Sequence, residues 1–188
     1  MAVAVDGDRE RTIAMVTAFV LAVLFLSIAF IVLYNALVGA RQRVREGWSA
    51  IEVQLKRRSS LVPNLVELVK GAADYERGTL QRLTEARGLL GGAAGPEAAA
   101  RADAVLTGAL RTFLAVAEAY PELKASERFA QLQLDLADSE NKIAYARNYY
   151  NGAVEIYNNR VQRFPGLIVA RVFRFAPAEF FAADELRA

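Results

Sequence analysis

The stretch ENKIAYARNYYNGAVEIYNNRVQRFP, residues 140–165, holds five asparagines and four tyrosines in 26 residues. Asparagine is a poor helix former. Yet the stretch has one glycine, Gly152, and no proline before Pro165. The pair Tyr-Asn recurs at Tyr150-Asn151 and Tyr157-Asn158, seven residues apart, close to two turns of a helix with about 3.6 residues per turn. On that helix Ile143, Tyr150, Tyr157, Val161 and Phe164 share one face, with Leu132, Leu136, Ser139 and Ala146 on or near it. Glu140, Arg147, Asn151 and Asn158 form a polar stripe at the edge of this face, where a neighbouring helix would cover them. A covered amide without a partner costs about 1–3 kcal/mol. Asn151 and Asn158 are therefore expected to bond to another helix or to a buried tyrosine hydroxyl. Glu140 and Arg147 are expected to meet charged groups such as Glu52, Arg57 or Glu67, with Arg147 neutralising a buried acid. A structural seam and a ligand seam are the two readings of this stripe.

The rest of the chain downstream of residue 34 also reads as helix, because no stretch alternates with period two for long. Val44, Trp48, Ile51 and Leu55 define a first amphipathic segment, interrupted by the RRSS of residues 57–60. Leu65, Leu68, Val69, Ala72, Leu83, Ala86 and Leu90 define a second, ended by GLLGGAAGP at 88–96. Ala102, Leu106, Ala109, Phe113, Val116 and Tyr120 define a third, stopped by Pro121, and the fourth starts near Ser126. Ser59 or Ser60 can cap a helix with Pro63 in its first turn, which predicts a hairpin there and four segments of matched length. A single helix kinked at Pro63 is the alternative. It would run about 75 Å against about 35 Å for the third segment.

Upstream lies IAMVTAFVLAVLFLSIAFIVL, Ile13–Leu33, 21 residues without a charge. As a helix it spans about 32 Å, the thickness of a hydrocarbon core, and Thr17 and Ser27 can return their hydroxyls to the backbone. This predicts one transmembrane helix. A cleaved signal peptide with VGA at 38–40 as its site is the competing reading, against which stands the length of the apolar run. Arg41, Arg43 and Arg45, then Lys56-Arg57-Arg58, follow the span, whereas Arg9 and Arg11 precede it among Asp6, Asp8 and Glu10. The positive-inside rule then puts the N-terminus outside and the C-terminal domain in the cytoplasm.

YNALVGARQRVREGWSAIEVQLKRRSSLVPNLVELVKG (34–71), LAVAEAYPELKAS (114–126), LQLDLADSENKIAYARNYYNGAVEIYNNRVQRFPG (132–166) and FAPAEFFAADE (175–185) resemble the ordered blocks of LemA family proteins. The resemblance implies one N-terminal membrane helix and an antiparallel four-helix bundle. It implies no known reaction, a magnetosome-formation branch, and partners among membrane peptidases and other envelope proteins. Gly47, Ser59-Ser60 and the glycine-rich 88–96 stretch depart from the family pattern.

The expected fold is all-α: a transmembrane helix followed by an antiparallel up-and-down four-helix bundle. The expected organisation is a tail over 1–12, a transmembrane helix over 13–34, the bundle over 35–165 and a membrane-proximal segment over 166–188. With no histidine and no cysteine, the usual general bases, thiol nucleophiles and zinc sets are missing. No catalytic, cofactor or metal residue is therefore assigned, and no enzyme activity is expected. From Leu37 onward 21 basic residues face 18 acidic ones, a balance that gives no nucleic-acid partner. The expected role is that of a cell-membrane scaffold or adaptor meeting the lipid bilayer and other envelope proteins. The alternative is an accessory subunit that binds a peptide or small ligand along the Glu140–Asn158 seam. Ala14, Ala18 and Ala22 make a small-residue ladder that permits homo-oligomerisation. GLIVARVFRF (166–175) reads either as a strap on the bundle or as a membrane-surface segment with contacts from Arg171 and Arg174. Removing residues 166–188 is expected to leave the helices intact.

Overall fold

Ser59, Ser60 and Pro63 do not break the chain. In the computed structural model one helix, α1, runs from Ala2 to Lys70 with Pro63 inside it. The structure describes residues 2–70 and 77–182; Ala72, the last residues of the 175–185 block and the side chains of Asp6, Asp8, Arg9 and Glu10 lie outside the described set. The hairpin expected at Ser59-Ser60 is thus corrected, and the reason is the apolar face. Val44, Ile51, Leu55, Val62, Leu65 and Val69 are all buried at helical spacing on both sides of the serines. Burying a side chain of this kind stabilises by about 1.5–3 kcal/mol, so the continuous face outweighs the roughly 3 kcal/mol penalty of one interior proline. Ser60 keeps its hydroxyl inside the helix, donating to the Arg57 carbonyl at 2.7 Å.

The remaining described elements are α2 (Arg77–Gly92), α3 (Pro96–Ala117), α4 (Pro121–Lys124), α5 (Glu127–Gln162) and α6 (Gly166–Val172). All are helical. Helix α2 runs through Gly88, Gly91 and Gly92, so the glycine-rich connection shrinks to residues 93–95. Gly95 stands at φ 85°, a left-handed conformation that suits glycine, and Pro96 opens α3 at its first turn. Helix α5 starts beside Ser126, near where the sequence placed it, and the Ser126 hydroxyl caps it by accepting the Phe129 N–H at 3.4 Å.

The described chain divides into two compact units. The larger comprises residues 42–156 and 178 onward. Its core joins Val62, Leu65 and Val69 of α1, Leu83 and Ala86 of α2, Leu106, Leu110 and Phe113 of α3, and Phe129 and Leu136 of α5. Within it α5 runs antiparallel to α1: Arg57 meets Asp138 at 2.9 Å, and Trp48 lies over Tyr150 with ring centroids 5.9 Å apart. Gly47 permits the close approach at that end, since a Cβ there would stand 3.1 Å from the Tyr150 Cα.

The smaller unit comprises residues up to 41 and 157–177. Its α1 portion includes the apolar run, long and apolar enough to cross a membrane and left uncovered by the rest of the described chain. Thr17 and Ser27 donate to the Ile13 and Val23 carbonyls within the helix. Leu37, Ala40, Tyr157 and Val161 are buried here, and Arg160 donates to the Ala36 carbonyl at 2.7 Å. Phe164, assigned to the core face of α5 from its spacing, is 78% exposed. Helix α5 ends at Gln162, so the helical period that placed Phe164 no longer applies.

Gly166 begins α6 against the Arg160 carbonyl, which a Cβ at this position would overlap. The C-terminus of α6 closes as a Schellman motif: Phe175 N–H bonds the Ala170 carbonyl at 2.9 Å, Arg174 N–H bonds that of Arg171, and Arg174 has φ 55°. Two outcomes are expected from thermal unfolding of the detergent-solubilised full chain. Gly166→Ala should lower stability by about 1–3 kcal/mol, because backbone must move to admit the methyl group. Arg174→Gly should raise it by about 0.5–1 kcal/mol, because only glycine takes the left-handed conformation without a Cβ penalty.

Candidate functional site

The face of α5 that carries Tyr150 and Tyr157 is completed by the chain's own tail. Tyr150 is 2% exposed and donates its hydroxyl to the Glu179 carbonyl at 2.7 Å. Asn151 reads the backbone of Phe181 from both sides. Its amide nitrogen donates to the Phe181 carbonyl at 3.1 Å, and its amide oxygen accepts the Phe181 N–H at 2.9 Å. Phe181 is buried and its ring lies 6.3 Å from that of Trp48. In the smaller unit Tyr157 donates to the Ala176 carbonyl at 2.9 Å. The asparagine was expected to bond another helix or a tyrosine hydroxyl. Its partner is instead irregular backbone thirty residues on, which offers free N–H and C=O groups that a helix does not. Burial, reinforced by Glu179, pushes the Tyr150 hydroxyl up to about 12.

A second polar cluster lies in the larger unit. Arg58 is 4% exposed and donates to Asp103 at 2.9 Å. Burial raises the Asp103 carboxyl above its ordinary value, and the Arg58 guanidinium opposes that shift without cancelling it. The Arg58 Nε is buried with no hydrogen-bond partner. Both residues line a groove of about 460 Å³ together with Thr107, Arg111, Glu140 and Arg147. On the next face Arg57 and Lys142 hold Asp138, and Lys142 above all keeps its carboxylate below the usual range.

The residues singled out from the sequence therefore separate. Glu140 and Arg147 are exposed and line the groove, so Arg147 is not buried against an acid. Arg57 pairs with Asp138 and Asp135 rather than with Glu140. Asn151 clamps the tail, and Asn158 is half-buried in the smaller unit. Ala14, Ala18 and Ala22 are exposed along α1, and Arg171 and Arg174 are exposed around α6. Sequence reasoning missed Arg58, Asp103 and Phe181. Asp103 was within reach of it, since it falls three residues before Leu106 and four after Ala99 on a face that is otherwise apolar. Among the described residues no three His, Cys, Asp or Glu side chains gather as a metal site.

A family model described as the LemA family matches residues 47–188. The chain belongs to the LemA family. It is 27% identical over 194 residues to the protein named magnetosome protein MamQ 2 of Paramagnetospirillum magneticum, with 89% of this chain and 71% of that one covered. It is 25% identical to the magnetosome protein MamQ of Magnetospirillum gryphiswaldense, with 79% and 64% covered. It is 24% identical to the protein LemA of Metamycoplasma hominis, with 81% and 70% covered. The LemA family assignment, the helical fold and the uncovered apolar stretch of α1 together describe a membrane-associated helical protein.

Trp48 is the single tryptophan and reports on the tail. Asn151→Ala should shift its emission to the red and lower stability by about 1–3 kcal/mol, since it orphans both backbone groups of Phe181. The raised Tyr150 value gives a pH signature. Its contribution to stability is fully present below the unfolded value near 10 and is lost as pH rises through about 12. A fluorescence-detected alkaline titration should show this loss, and Tyr150→Phe should remove it. Asp103→Ala should destabilise the fold by about 3–5 kcal/mol in denaturant melts, because Arg58 stays buried without its partner.

Proposed function

We propose that this LemA-family chain is a non-enzymatic, membrane-anchored scaffold or adaptor. Its anchor is the helix over residues 13–34, and its working part is an antiparallel up-and-down four-helix bundle over residues 35–165. The observation that carries this reading is the apolar run itself: Phe19, Phe25 and Leu26 are 70%, 72% and 65% exposed, which a chain in water does not tolerate over a contiguous surface. The charge-free stretch finds its cover in a bilayer. The polar groups of α5 support the same reading, since Tyr150 and Asn151 are spent on holding the tail. The arginines that follow the span favour a cytoplasmic bundle, and the relatives named as magnetosome proteins favour a role at a cell membrane. Partners would be neighbouring envelope proteins or a second copy, the latter through the Ala14, Ala18 and Ala22 ladder.

A second reading rests on the groove beside Arg58. A buried guanidinium Nε without a partner, with Arg111 and Arg147 nearby, suits a carboxylate or phosphate on a peptide or small ligand. Proximity labelling from a C-terminal tag, with protease access as orientation control, tests the first reading. A reproducible set of membrane neighbours on the cytoplasmic face is expected. Labelling confined to the outer face would reverse the orientation. An empty set, together with an Arg147-dependent rise in melting temperature on adding a carboxylate-bearing peptide, would transfer the function to the groove.

A further inference from the structure

Helix α6 buries Gly166, Val169 and Ala170 and turns its other side outward. Phe164, Ile168 and Val172 follow one another at intervals of four, exposed by 78%, 53% and 63%, and Phe173 beside them is 48% exposed. Three large apolar side chains in nine residues, Phe164, Ile168 and Val172, stand open and need a cover. Arg163, Arg171 and Arg174 are exposed among them.

The same unit sets the neighbouring Phe173 against the apolar run of α1. The Phe173 ring lies 4.7 Å from that of Tyr34 and 5.9 Å from that of Phe30, at the end of the charge-free run of α1. Phe175 meets Tyr34 edge to face with ring centroids 6.0 Å apart, and the Arg41 guanidinium sits 5.5 Å from the Phe175 ring centroid. The exposed stripe thus joins the exposed apolar surface of the span at the level where aromatic rings give way to arginine. That sequence of apolar chains, aromatic rings and cations follows the polarity profile of a bilayer edge.

We infer that α6, with the turn at Phe164 before it, is an interfacial segment, with Phe164, Ile168 and Val172 among the acyl chains and Arg163, Arg171 and Arg174 on the phosphates of anionic lipid headgroups. An apolar face flanked by basic side chains is the pattern of such helices, and each arginine adds electrostatic attraction to an anionic leaflet. Long side chains at this depth reach the headgroups while their methylene stems stay in contact with lipid. This inference rests on the membrane anchor proposed for residues 13–34.

The chain has no cysteine, so single-cysteine variants of the full chain carry one environment-sensitive fluorophore each. Ile168→Cys and Val172→Cys probe α6, Leu24→Cys probes the span, and Val105→Cys probes an exposed site of the larger unit. Reconstitution uses vesicles of phosphatidylcholine alone or of equal parts phosphatidylcholine and phosphatidylglycerol. Lipid-borne nitroxide should quench the probes at 168 and 172 several-fold more than the probe at 105, and aqueous iodide should show the reverse order. Lipid quenching at 168 and 172 should be stronger in the mixed vesicles, and the double variant Arg171→Gln/Arg174→Gln should bring it to the level of phosphatidylcholine alone. Iodide access at 168 and 172 equal to that at 105 would overturn the inference. So would protection from both quenchers, which would mean that protein covers the stripe. If Leu24→Cys responds to lipid while the α6 probes do not, only the inference about α6 fails. If Leu24→Cys does not respond, the anchor fails and the inference falls with it.

Discussion

Two tyrosine hydroxyls on one helical face set a requirement that the rest of the structure meets. Tyr150 and Tyr157 lie two turns apart on α5, and both are buried. A buried hydroxyl without an acceptor is costly. The chain answers with irregular backbone after α6, whose Ala176 and Glu179 carbonyls accept the two bonds. Asn151 then fixes the register by pairing with both polar groups of Phe181. A slip of one residue along the tail would put an outward-pointing side chain where the Phe181 ring lies against Trp48. The tail is therefore not an appendage: removing residues 166–188, expected to leave the helices intact, would also take away the acceptors of both tyrosines and the partner of Asn151.

The sequence announced those features that depend on local spacing. The charge-free run, the seven-residue recurrence of Tyr-Asn, the buried stripe of α3 and the start of α5 near Ser126 were all readable, because each needs only side-chain chemistry and a period. Its errors came where two signals competed. RRSS followed by Pro63 resembles a helix start, but Val62, Leu65 and Val69 continue the face of Ile51 and Leu55, and burial of that face prevails. Phe164 was placed by extending the period of α5 past the point where the helix ends. The partner of Asn151 was out of reach for a different reason. It is main chain, and main chain has no signature in a sequence.

Charge was legible in number but not in position. Arg57 and Arg58 are adjacent and counted equally toward membrane orientation, yet one lies near the surface between Asp135 and Asp138 and the other is buried against Asp103. About 100° of rotation separates successive residues on a helix, and this alone separates a modest, screened contribution from a buried pair whose loss is severe. Arg147 shows the converse: read as buried from the stripe it shares with Glu140, it lines an open groove.

The tail clamp also orders events during synthesis. Trp48 and Tyr150 belong to helices translated early and late, and both emerge from the ribosome before residues 176–181. Until that last stretch appears, the hydroxyl of Tyr150, the amide of Asn151 and the indole face of Trp48 remain open. Completion of the helical core thus waits on a few residues of irregular chain. A nascent chain that stalls before Phe181 would present an unfinished aromatic surface, which leaves it open to triage by chaperones and proteases.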